Sequence, residues 1–103
     1  MVFISRKAKI DLDNIVIGLL EWGKIELTVA EVTQYVEDIV AICYQLDLFS
    51  HHYKATYNDH LKHGAYSYPY KRNKQTTWYI IYDMNTRNNI LVNKIISNYK
   101  TLA

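Results

Sequence analysis

At 103 residues, half of them apolar and a fifth charged, the chain is sized for one globular domain (residues 1–103) around a single modest core. A net charge of +2 is too small to define a polyanion binder by itself, and no apolar run approaches the ~18 residues of a membrane span. The N-terminal VFIS gives way to charge at Arg6, before the apolar stretch of an export signal could form. The expected compartment is therefore the cytoplasm, and the lone Cys43, unable to make an internal disulfide, agrees.

Val2–Ser5 reads as a short strand at the edge of a later sheet. From Lys7 the period changes: Ala8, Leu12, Ile15, Val16, Leu19 and Trp22 recur at spacings of three and four, which puts them on one helical face. Asp11, Asp13 and Asn14 are expected on the opposite face, and Gly23 is suited to end the helix. Thr28 and Glu31 have the spacing of a capping box. Behind it Val29, Val32, Val36, Ile39, Val40, Cys43 and Leu46 form a second helical stripe. The short gap between the two favours an antiparallel helical hairpin. Cys43 reads as a small buried hydrophobe, and Trp22, Tyr35 and Tyr44 read as core or its rim.

Residues 47–65 carry no clear period; Asn58–Leu61 suits a helical turn that Gly64 would end. The stretch 66–99 is the most legible. Thr76–Asp83 (TTWYIIYD) is rich in aromatic and β-branched residues, which fit a pleated surface. Asn-Thr-Arg-Asn-Asn at 85–89 is turn chemistry, and Ile90–Ile96 follows as a strand to pair in an antiparallel hairpin. The strand that opens at Tyr66 contains Pro69, the only proline, which requires an edge position or a bulge. Along Thr76–Asp83, Trp78, Ile80 and Tyr82 share one face and Thr77, Tyr79 and Ile81 the other. Only one face can pack on the helices; the other is expected to leave aromatics at the surface or in an interface. The expected architecture is α+β: an N-terminal strand and a two-helix hairpin packed on a small, mainly antiparallel sheet with three C-terminal strands.

Charge is unevenly spread. Residues 51–103 hold eight of the twelve Lys and Arg and all four histidines, opposed only by Asp59 and Asp83. Such asymmetry points to a polyanion or acidic partner on the sheet side, or to lysines that guard sheet edges. His60 and His63 at i, i+3, with His51 and His52, have a spacing that zinc could use, but solvated loop histidines are the default and no metal is expected. There is no glycine-rich phosphate loop, nucleophile elbow or carboxylate pair, and no cofactor is expected. What remains is a set of cations and phenols: Lys54, Lys62, Lys71, Arg72, Lys74, Lys94, Tyr99 and Lys100. Such groups stabilise charge on a phosphoryl transition state or simply hold phosphates.

The order strand, helical hairpin, three-stranded antiparallel sheet resembles the ParE/RelE superfamily of type II toxin-antitoxin toxins, the plasmid stabilisation proteins. VFISRKAKIDLDNI is similar to the family's first strand and its A-x-x-D/x-L-x-x-I helix start. KRNKQTTWYIIYD resembles the strands where the family sets an Arg before a YxxxY-like core strand, and NILVNKIISNY resembles its last strand. The likeness covers nearly the whole chain and rests on element order more than on any one residue. It implies a toxin that poisons DNA gyrase, as ParE-like members do, or cleaves mRNA on the ribosome, as RelE-like members do, with a cognate antitoxin as partner. A second copy of the chain is a further candidate partner. By the same resemblance Arg72 and Tyr99, with Lys54 or Lys62, would be the catalytic set of the cleaving branch. Lys71, Arg72, Lys74, Lys94 and Lys100 would contact a partner or nucleic acid. Ser97 stands where many members have His, which favours the gyrase branch.

Overall fold

A computed structural model describes residues 1–21 and 28–98. Trp22, Gly23, Tyr99 and Lys100, and the expectations attached to them, lie outside those residues. Strand β1 (Val2–Ile4) stops at Ser5, whose hydroxyl accepts the Ala8 N–H at 3.1 Å and so caps α1 (Arg6–Glu21). The second helix, α2 (Val29–Gln45), opens on the expected capping box. The Thr28 hydroxyl accepts the Glu31 amide at 3.1 Å, and the Glu31 carboxylate accepts the Thr28 amide at 3.3 Å. Thr28→Ala is expected to lower stability by ~1 kcal/mol, read as a shift of the urea midpoint. An unchanged midpoint would mean that this helix start adds nothing to the fold.

Three further strands complete the sheet: β2 (Tyr66–Lys71), β3 (Thr77–Met84) and β4 (Ile90–Ser97). The order is β1-β4-β3-β2, with β1 parallel to β4 and the other pairs antiparallel. This is the expected α+β architecture, its strand ends within a residue or two of those read from the sequence. Pro69 does lie on an outer strand. The Ser67 N–H points away from β3, to the Tyr53 carbonyl at 2.9 Å. Two residues on, the Pro69 nitrogen faces the same outward side, so its missing N–H removes no bond to β3. In the 85–89 turn the Asn85 side chain accepts the Arg87 and Asn89 amides at 2.9 and 3.0 Å, and Asn88 takes the left-handed backbone at φ 61°.

The helix pair covers one face of the sheet. Ala8 and Leu12 of α1 and Ile39 and Cys43 of α2 meet Ile80, Tyr82, Ile90, Val92 and Ile95 in one core. Removing these side chains from water is the main force holding the layers together. Burial also pushes the Cys43 thiol up to about 12, which makes it an inert core residue as expected. Two helical expectations are corrected. Val29 is 71% exposed, because it sits at the first position of α2 before the helix reaches the sheet. Tyr44 is likewise exposed, whereas Tyr35 lies at the rim of the core.

Asp11 is also not on the solvent side. Beyond residue 92 the edge of β4 has no β1 partner, and Asp11 takes that place: its carboxylate accepts the Ile95 amide at 3.0 Å and pairs with Lys94 Nζ at 2.8 Å. A bulge in the β3–β4 ladder leaves Asn93 as the extra residue between Val92 and Lys94. Its amide group donates to the His63 carbonyl at 2.7 Å and to Asp83 at 2.9 Å, while Asp83 accepts the Ala65 amide at 3.0 Å. These bonds fasten residues 63–65 to the sheet.

That fastening changes the other sheet face. Instead of leaving aromatics open, Tyr79 and Ile81 are covered by the segment around α3 (Asn58–Leu61), the helical turn expected there. Ile81 is fully buried beneath it. The histidines expected to be solvated divide accordingly. His60 is buried against Tyr79, and His52 accepts or donates at 2.7 Å to the Tyr82 hydroxyl, while His51 stays exposed. Burial raises the Tyr82 phenol to about 12. Among the described residues no helix is long and apolar enough to cross a membrane.

Candidate functional site

The β2–β3 turn carries the cations expected to meet a partner. Asn73 shapes it, its side-chain oxygen accepting the Gln75 and Thr76 amides at 2.9 and 2.8 Å, and Lys71 and Lys74 project exposed on either side. Arg72 goes the other way. Its guanidinium donates to Asp38 on α2 and to the Tyr70 hydroxyl at 3.4 Å, and lies 4.3 Å from the centre of the Tyr35 ring. The Arg72 guanidinium holds the Asp38 carboxyl below the usual carboxylate range. Beside it the Trp78 indole donates to the Tyr35 hydroxyl at 2.8 Å. Arg72 and Trp78 therefore brace the hairpin against α2. Lys94 is similarly engaged by Asp11, which leaves Lys71 and Lys74 as the exposed cations of the expected contact set among the described residues.

The structure does not gather the other expected catalytic residues around Arg72. Lys54 bridges to Tyr66 at the opposite end of β2, roughly 20 Å of strand away. Lys62 pairs with Asp59 at 3.4 Å. Ser97 is buried at the end of β4, opposite Trp78.

Lys54 belongs instead to a cleft of about 370 Å³ beside β2, lined also by Tyr53, Thr56, Tyr57, His60, Ser67, Tyr68, Pro69 and Tyr79. The elements that shape it follow from local rules. Residues 53–55 run antiparallel to the start of β2, the Ala55 amide donating to the Ala65 carbonyl at 2.8 Å. The turn of α3 then returns the chain across β3, with the His60 ring centre 4.6 Å from Tyr79 and 5.1 Å from Tyr57. Ser67 contributes a buried hydroxyl with no hydrogen-bond partner among the described residues. An unmet buried hydroxyl costs about 1–3 kcal/mol. No sequence signal marked this cleft. Period two puts Ser67 and Tyr79 on one face, but only the return of residues 53–64 makes that face a wall.

Burial is the main cause that lowers His60, and it lowers His63 too, with the Lys94 ammonium next in weight. Both imidazoles thus bind a proton less readily in the folded chain than in the unfolded one, whose histidines titrate near pH 6.5. Their contribution to stability is present above that pH and is lost as pH falls through it. The urea midpoint is expected to drop between about pH 7.5 and 5.5, and His60→Gln should flatten the drop. A midpoint independent of pH across that window would contradict the burial of His60 and the partial burial of His63. Among the described residues no group of three or more His, Cys, Asp or Glu lies close enough to hold a metal.

The fold and sites define an α+β domain with a helix pair on one sheet face, an exposed lysine turn and an aromatic cleft beneath α3. Comparison with protein families, curated proteins and solved structures finds no match to this chain.

Proposed function

We propose that this chain is the toxin of a type II toxin-antitoxin pair, acting in the cytoplasm by binding its target as ParE-like proteins do. The observation that carries the reading is topological. The chain runs strand, two helices, three strands, and its first strand returns beside its last in the order β1-β4-β3-β2 with both helices on one face. A binding mode is favoured over ribosome-dependent mRNA cleavage because Arg72 is engaged by Asp38 and Tyr35, and Lys54 lies at the far end of β2. DNA gyrase is the target this reading names.

The outer face of α1 supports a covering antitoxin. Ile10, Ile17 and Leu20 are each about half exposed there, in line with Arg6 and Asp13. A segment laid along the helix with apolar residues at matching spacing would bury that stripe. The test is a supercoiling reaction with purified gyrase and this protein. Inhibition is expected, and it should survive Arg72→Lys, which preserves the cation beside Asp38. Undiminished supercoiling, with cleavage of translated messages by primer extension, would replace the reading with the nuclease alternative. Neither activity would leave a non-toxic interaction module.

A further inference from the structure

The cleft under α3 is not used by the toxin reading. Three features of its lining point the same way. Its walls are phenol rings: Tyr57 and Tyr53 are about half exposed beside it, and Tyr79 continues the wall. Such faces stack on planar rings. At one side stands Lys54, exposed and without an ion-pair partner among the described residues, so its ammonium is available to an anion. In the wall lies Ser67, 8% exposed, its hydroxyl without a hydrogen-bond partner among the described residues. One staggered rotation about χ1 swings a serine hydroxyl to a new direction, and an acceptor in the cleft would satisfy it there. At about 370 Å³ the space lies within the range of small-ligand sites.

From these features we infer that the cleft binds a small planar aromatic anion. Its ring lies against Tyr57 and Tyr79, its acceptor meets the Ser67 hydroxyl and its phosphate or carboxylate meets Lys54. Two sources share that chemistry: a nucleoside monophosphate and a small aromatic acid. The inference does not depend on toxicity, since none of these residues takes part in the target-binding mode proposed above. It also explains an otherwise costly choice, because an alanine at 67 would avoid burying an unpaired hydroxyl.

The test is a titration of the whole folded chain, followed by amide resonances, with uridine monophosphate and with 4-hydroxybenzoate; inorganic phosphate and uridine serve as controls. Saturable shifts at Tyr57, Ser67 and Tyr79 with at least one of the aromatic anions are expected. Lys54→Gln should weaken binding about tenfold, as loss of a charge-assisted contact does. Ser67→Ala should weaken binding while the protein becomes no less stable, a divergence that a purely structural serine would not give. Preference for uridine monophosphate assigns the nucleotide source, and preference for 4-hydroxybenzoate the aromatic acid. The inference is overturned by absence of saturation with both at ~10 mM. It is equally overturned if phosphate or uridine alone binds as well, or if Lys54→Gln leaves binding unchanged.

Discussion

Replacing Asp11 by alanine is expected to destabilise the domain by about 2–4 kcal/mol, a large share of the stability of a chain this size. Two groups lose their partner at once. The Ile95 amide, donating at 3.0 Å, would be left unbonded at the sheet edge, and Lys94, whose ammonium sits 2.8 Å from the carboxylate, would keep a partly buried charge with nothing opposite it. Removing one member of a shielded pair costs more than the pair contributes, because the survivor remains desolvated. The Asp11 side chain is only 11% exposed, so water replaces it poorly. Asp11→Asn keeps an acceptor for the amide and should lose about half as much. Urea unfolding followed by circular dichroism gives both values. A loss under ~0.5 kcal/mol for alanine would mean that α1 does not cap the β4 edge through this residue.

Gly64→Ala is expected to cost about 3 kcal/mol by a different route. A Cβ there would stand 2.8 Å from the Tyr82 carbonyl oxygen and 2.9 Å from its carbon. Those atoms belong to the central strand and cannot swing aside as a flexible side chain would. The segment must lift, loosening the Asn93 and Asp83 bonds that hold 63–65 and opening Ile81 to water. Amide exchange at Ile81 and Tyr82 should accelerate in this variant while α2 stays protected. Unchanged exchange and an unchanged midpoint would show that the covering segment is not packed so closely.

The helices were legible because each buries one stripe and the second opens on a local rule. Ala8, Leu12, Ile39 and Cys43 repeat at helical spacing, and Thr28 with Glu31 is a pattern four residues long. Pro69 likewise announced an outer strand, since a missing donor is tolerated only where nothing waits to accept it. Asp11 was misread for a reason of the same kind. Helical periodicity assigns a carboxylate to solvent, and nothing near residue 11 reveals an unpaired strand edge more than eighty residues later. The covered sheet face was hidden by the same distance. Alternation divides Tyr79 and Ile81 from Trp78, Ile80 and Tyr82, yet whether the second face is open depends on where residues 53–64 return. Those residues have no period to read.

The candidate site divides in the same way. The lysines of the 71–74 turn are exposed, as a basic turn between two strands suggests. Arg72 in the same turn is not, because the strand alternation that aims Tyr70 at α2 aims it there too, toward Asp38. Sequence placed Arg72 and Lys54 in one list of cations; the register of β2 sets them at opposite ends.

Whether the chain is a toxin held in check by a partner is decided by expressing it alone from a tight promoter in a bacterial host and following growth. Arrest is predicted, with relief when a cognate antitoxin is expressed with it. Normal growth, with the folded protein recovered from the same cells, would show that it is not a toxin.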